Sequence, residues 1–102
     1  MTAPPVRVVD HPAVSRYELR VGERLAGHAE YDVQSGGLVL THTEIDPAFR
    51  GRGLAERLAV EVLDDVRQRH LRVTPRCPFM AQFIGEHPEY ADLVTPSAAT
   101  GA

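Results

Sequence analysis

The sequence predicts a small α+β domain: a mostly antiparallel sheet, elements in the order β-β-β-α-β-α, and one parallel βαβ crossover. Three observations carry this. Residues 16 to 45 alternate apolar and polar positions in three runs separated by glycine-bearing turns. Residues 54 to 66 repeat apolar side chains at helical spacing. A short β-prone run follows the helix, and a helix between two strands of one sheet makes them parallel.

The first run, Arg16 to Val21, puts Tyr17, Leu19 and Val21 on one face and Glu18 and Arg20 on the other. Gly22-Glu23 turns the chain. Leu25 to Val33 is the partner strand, with Leu25, Gly27, Ala29, Tyr31 and Val33 facing one way. Gln34-Ser35-Gly36-Gly37 is the next turn. Leu38 to Ile45 is the third strand, and alternation places Leu38, Leu40, His42 and Glu44 on a shared face. Asp46-Pro47 ends it. The helix then buries Leu54, Ala55, Leu58, Ala59, Val62, Leu63 and Val66 and exposes Glu56, Arg57, Glu61, Asp64, Asp65 and Gln68. Asp65 and Arg69 form a favourable i,i+4 pair. Arg67, Arg69 and His70 suit the negative end of the helix dipole. Leu71 to Thr74 is the crossover strand, stopped by Pro75. Pro78 to His87 is a second helix, with Pro78 in its first turn and Phe79, Phe83 and Ile84 on one face. Pro88 breaks it, and Leu93-Val94 forms a last short element.

A chain of 102 residues argues for one domain, expected over residues 6–94, with 1–5 and 95–102 as flexible termini. Apolar and charged fractions of 43% and 25% are those of a soluble globular protein. The single cysteine, Cys77, excludes an intramolecular disulfide. No run approaches the ~20 apolar residues of a membrane span. The N-terminus lacks the basic-then-apolar pattern of a signal peptide. A cytoplasmic location without a membrane partner is the expectation. All 11 basic residues are arginine, against 14 acidic ones, and the net charge of −3 disfavours nucleic acid as a partner. No Cys/His pair has metal-ligand spacing, so no metal site is expected. The oligomeric state is not legible.

The helix entry, Phe49-Arg50-Gly51-Arg52-Gly53, has no Ser, Thr, Asp or Asn in the capping position. A bare helix N-terminus with close backbone access is an anion site, because its first N–H groups lack intrahelical partners. Phosphate would accept from N–H groups between Arg50 and Ala55, with Arg50 and Arg52 adding charge-assisted contacts. The plainer reading is a tight glycine turn flanked by solvated arginines. A P-loop is excluded, since no Gly-Lys-Ser/Thr follows, and the dinucleotide fingerprint fails for want of a third glycine at Glu56.

The pattern Arg-x-x-Gly-x-Ala at Arg50, Gly53 and Ala55 resembles the pyrophosphate-binding signature of the GNAT acetyltransferases. Its context matches too: Thr43-Glu44-Ile45 ends a strand, Asp46-Pro47-Ala48-Phe49 follows, and Arg50-Gly51-Arg52-Gly53-Leu54-Ala55 opens the helix. With Cys77-Pro78-Phe79 and His87-Pro88-Glu89-Tyr90, the stretch from His42 to Val94 is similar to very short stand-alone GNAT-like proteins. The resemblance implies a GNAT-like fold, acetyl-CoA as cofactor, and pyrophosphate at Arg50 to Ala55. It implies a pantetheine arm between Leu38–Ile45 and Leu71–Thr74, paired with backbone at Thr43 to Ile45, and a thioester close to Cys77. The chain departs from the family in size, since typical members carry further elements that shape the acceptor site.

Amine transfer needs a base. Glu44 and His42 are the candidates, against the alternative of a polar strand face bonded to its neighbours. Cys77 follows a strand and precedes a helix, beside Arg76. Helix N-termini and neighbouring cations favour the thiolate, which would permit a covalent acetyl-cysteine route with His42 as first candidate base. A small buried filler or pocket wall is the plainer role. His11, His28 and His70 have no partner spacing and read as surface residues. The sequence thus points to an acetyl-CoA-dependent N-acetyltransferase acting on a small or peptidyl amine. The alternative is a non-catalytic CoA-binding or sensor module, and a third reading is an interaction domain with a purely structural glycine turn.

Overall fold

A computed structural model describes residues 4–96 of the chain. Five strands form one sheet in sequential order: β1 (Val6–His11), β2 (Arg16–Val21), β3 (Arg24–Gln34), β4 (Gly37–Ile45) and β5 (Arg72–Pro75). The first four pair antiparallel, and β4 pairs β5 parallel across the helix α1 (Leu54–Gln68). Helix α2 (Pro78–Glu86) and a 3₁₀ segment (Pro88–Leu93) follow. Val94 then bridges Val73 on the outer side of β5. The α+β class, the parallel crossover and the two helices are as the sequence implies. Parts of the expected termini, residues 1–3 and 97–102, lie outside the described residues.

Strand β1 is an addition to the expected order. Its inward positions are Val6, Val8 and Asp10, and the acid interrupts the apolar alternation. Asp10 is accommodated because Tyr31 donates to it at 2.6 Å and Arg69 lies 3.0 Å from its second oxygen, Oδ2. That second contact is an ion pair without hydrogen-bond alignment. Arg69 also pairs with Asp65 at 3.0 Å, as the i,i+4 spacing implies, and Asp65 accepts from Tyr17 at 2.7 Å. Burial and these acids push both phenols up, Tyr31 to about 12. Two tyrosines, two acids and one arginine therefore tie the sheet to the C-terminal end of α1.

Two bulges correct the expected strand faces. Leu19 pairs Gly27 while Arg20 pairs Leu25, so Ala26 is an extra residue in β3. Alternation restarts there, and Leu25 turns outward while Ala26, Gly27, Ala29 and Tyr31 stay in. Tyr31 pairs Leu40 while Glu30 pairs His42, so Thr41 is the extra residue in β4. Leu38 and Leu40 face the helices, whereas His42 and Glu44 do not share that face. A bulge shifts the side-chain phase by one residue and so swaps inside for outside.

The core lies on one side of the sheet. Helix α1 buries Leu54, Leu58, Ala59, Val62, Leu63 and Val66 against Tyr17, Leu19, Ala29 and Leu40, and α2 adds Met80, Phe83 and Ile84. Helix α1 ends in a Schellman arrangement: the Leu71 N–H reaches the Val66 carbonyl at 3.0 Å and the His70 N–H reaches that of Arg67 at 3.1 Å. His70 holds the left-handed position at φ 58°. The opposite face carries Arg16, Glu18, Arg20, His28, Glu30, His42 and Glu44. Glu18 alone of these is buried, held by Arg16 at 2.6 Å.

Candidate active site

The entry to α1 is a backbone cradle. Gly53 sits in the N-cap position at φ 73°, and no side chain caps the helix. Gly51 is left-handed too, at φ 78°, and a Cβ on either glycine would meet nothing within 4 Å. The glycines are therefore required by backbone direction, and the space above them is free. A cavity of about 390 Å³ opens there, lined by Ile45, Phe49, Arg50, Gly51, Gly53, Leu54, Ala55 and Glu56. The first N–H groups of the helix lack acceptors among the described side chains, and the dipole favours negative charge at this end. These are the donors and the room that a pyrophosphate needs.

The loop before the cradle is pinned from both ends. Asp46 ends β4 and caps the short turn Pro47–Phe49 by accepting from the Ala48 N–H at 2.8 Å. Phe49 is buried, and the guanidinium groups of Arg24 and Arg52 lie 5.0 and 5.1 Å from its ring centre. Arg52 is thus directed onto an aromatic ring and joined there by Arg24, a residue that sequence reading did not single out. Only the fold brings β3's first residue to this loop. Arg50 reaches back to the Ile45 carbonyl at 3.4 Å.

Strand β4 outruns its parallel neighbour. The β4–β5 register ends at Leu40 with Pro75, and the Leu40 carbonyl accepts from both Arg76 and Cys77 at 3.0 and 2.9 Å. Beyond it, residues 41 to 45 of β4 have no strand on that side among the described residues. The edge at Thr43 to Ile45 is therefore open next to the glycine cradle, with Ile45 lining the cavity. Ile45 also lies over Gly27, where a Cβ would approach its Cδ1 to 2.5 Å.

Cys77 occupies the N-cap position of α2 without a capping hydrogen bond, at the helix start its sequence neighbours imply, and is buried with its thiol 3.4 Å from the Thr43 hydroxyl. His42 and Glu44 stand on the other face of β4. The His42 ring is 3.0 Å from Glu44 and 6.0 Å, centre to centre, from His28. The structure joins Cys77 to Thr43 and His42 to Glu44; it does not join His42 to Cys77, because adjacent strand residues point to opposite faces. The hydrogen bond from His42 holds the exposed Glu44 carboxyl below its usual range, with His28 and Arg50 adding to the effect. A recess of about 200 Å³ beside it is lined by His28, Glu44 and Asp46.

The family model of the GCN5-related N-acetyl-transferases matches residues 16–93. Protein NATD1 of Bos taurus is 39% identical over 59 residues, covering 56% of this chain and 52% of the relative. Protein NATD1 of Homo sapiens is 36% identical over the same length and the same shares. The chain spans about half the length of these curated relatives. The solution structure of a GCN5-like protein from Staphylococcus aureus shares the fold, with a TM-score of 0.67, 16% identity, and 95% and 93% of the two chains covered. The matched segment contains the glycine cradle, the open edge of β4 and both helices, and on that match the chain belongs to the GCN5-related N-acetyltransferase family.

Proposed function

We propose that this protein is an acetyl-CoA-dependent N-acetyltransferase whose acceptor is a small or peptidyl amine. One observation carries the reading: the uncapped N-terminus of α1 opens onto a cavity beside the segment of β4 that β5 leaves unpaired. An elongated ligand with phosphates at one end and an amide-bearing arm at the other fits that juxtaposition. Gly53 to Ala55 supply backbone donors to the phosphates, and Arg50 supplies charge. The open edge at Thr43 to Ile45 supplies strand-like pairing for the arm. Acetyl-CoA would supply the thioester: its acetyl carbon would bond to the amine as the C–S bond breaks, and CoA would leave as the free thiol.

The chain's own residues handle the acceptor. Glu44 and Asp46 border the recess with carboxylates that draw a cationic amine. Glu44, kept ionised by His42, takes the amine proton directly or through water. Thr43 and Cys77 wall the opposite side of β4. Because Cys77 is buried against a hydroxyl and separated from His42, direct transfer is favoured over an acetyl-cysteine route.

A second reading, a CoA-binding or sensor module without turnover, is favoured by one feature. Glu44 is exposed and held low, which makes it a weak base. Calorimetry with acetyl-CoA and coupled thiol release with a panel of amines separate the two. Binding that is lost in Gly53→Glu, together with amine-dependent release, supports the enzyme. Binding without release by any amine supports the module. No binding by the wild-type chain sinks both.

A further inference from the structure

We propose that His28, His42 and Glu44 form a site for a divalent transition-metal ion of the zinc class on the open face of the sheet. Spacing along the chain shows no ligand pair there, because the sheet makes it. His28 pairs directly with Glu44, and Glu30 with His42, across β3 and β4. The four side chains stand as a square on one face. One ligand atom from each of His28, His42 and Glu44 lies within 4.8 Å of the other two. The fourth corner is Glu30, 2.9 Å from the His28 ring nitrogen Nε2.

Tetrahedral zinc holds nitrogen and oxygen ligands at about 2.0–2.2 Å, which puts the ligand atoms roughly 3.4 Å apart. The present separations close to that by side-chain rotation. His42 and Glu44 are about half-exposed and turn once their mutual 3.0 Å contact opens, while His28 is 18% exposed and anchors the site. Two imidazoles with one or two carboxylates are the donors that zinc, copper, nickel and cobalt select; magnesium and calcium select oxygen alone. Glu44 and Glu30 offset the charge of a dication. Glu18, which faces His28 from β2, is occupied by Arg16, Arg20 and His11 and completes the surroundings without competing.

This inference does not rest on acetyl transfer; an ion bound here would occupy the Glu44 carboxylate and so block, not assist, its role as base. Cobalt(II), as a spectroscopic stand-in for zinc, is titrated into the full chain and followed by its visible bands, with zinc binding measured by calorimetry. The expected result is a single saturable equivalent, with no thiolate-to-metal band, since Cys77 is buried on the other face. His28→Ala and His42→Ala each weaken binding about tenfold or more, and His70→Ala leaves it unchanged. Circular dichroism checks that each variant is folded. Failure to saturate, a thiolate band, or wild-type affinity in folded His28→Ala overturns the site.

Discussion

A Cβ on Gly53 would find empty space, yet the residue holds φ at 73°, where side chains are disfavoured by roughly 1–2 kcal/mol. Gly53→Glu therefore adds strain and sets a carboxylate where phosphates are proposed to lie, and acetyl-CoA affinity falls beyond calorimetric detection while the chain stays folded. Glu44→Gln isolates the base. Turnover with the best amine falls about 100-fold at unchanged acetyl-CoA affinity, and an unchanged rate removes Glu44 from proton transfer. Glu18 tests a different charge. Its hydrogen bond from Arg16 holds its carboxyl below the ordinary 4.5. A lowered native value stabilises the fold above pH 4.5 and loses that contribution as pH falls through it. Glu18→Gln should cost about 1 kcal/mol at neutral pH, and the gap should close in acid; urea melts across pH measure it.

At the scale of elements, the end of α1 is the informative case. The Schellman turn needs a left-handed residue, and His70 occupies it at φ 58° where glycine is usual. His70→Gly should stabilise the chain by about 0.5–1 kcal/mol, because relief of left-handed strain exceeds the added chain entropy. A thermal melt that moves downward would show that the His70 side chain contributes more than its backbone costs. Strand β4 shows the converse. Its inserted Thr41 cannot be read from alternation, since Leu38-x-Leu40-x-His42-x-Glu44 is a regular pattern on paper. The insertion is visible only in the register with β3, where Tyr31 meets Leu40 and Glu30 meets His42.

For the molecule as a whole, the buried core of the described residues lies on one side of the sheet, and the polar tie from β1, β2 and β3 to α1 closes the far end of that layer. Asp10 is its centre, 7% exposed and touching both Tyr31 and Arg69. Asp10→Ala leaves a buried phenol and a guanidinium without their shared acceptor and should cost about 1–3 kcal/mol. In the Tyr31→Phe background the same change should cost less, and equal costs in the two backgrounds would show the pair to be uncoupled. The functional end is separate: the glycine cradle is at the start of α1 and this network at its end.

The sequence by itself determined the helices, three strands of the meander, the parallel crossover and the capless glycine entry to α1. These are local: helical spacing over Leu54 to Val66 and a capless Gly51-x-Gly53 entry are read from neighbours in the chain. It also placed Cys77 at a helix start and paired Asp65 with Arg69. Only the tertiary structure decided which face His42 and Glu44 occupy, that Arg24 joins Arg52 at Phe49, and that Cys77 meets Thr43 instead of His42. It alone made β1 a strand, by giving Asp10 its partners, and set His28 opposite Glu44. The physical reason is common to all of these. Helix contacts recur at three and four residues, so the chain carries them in its order; sheet contacts depend on register, and one inserted residue exchanges the faces without marking the sequence.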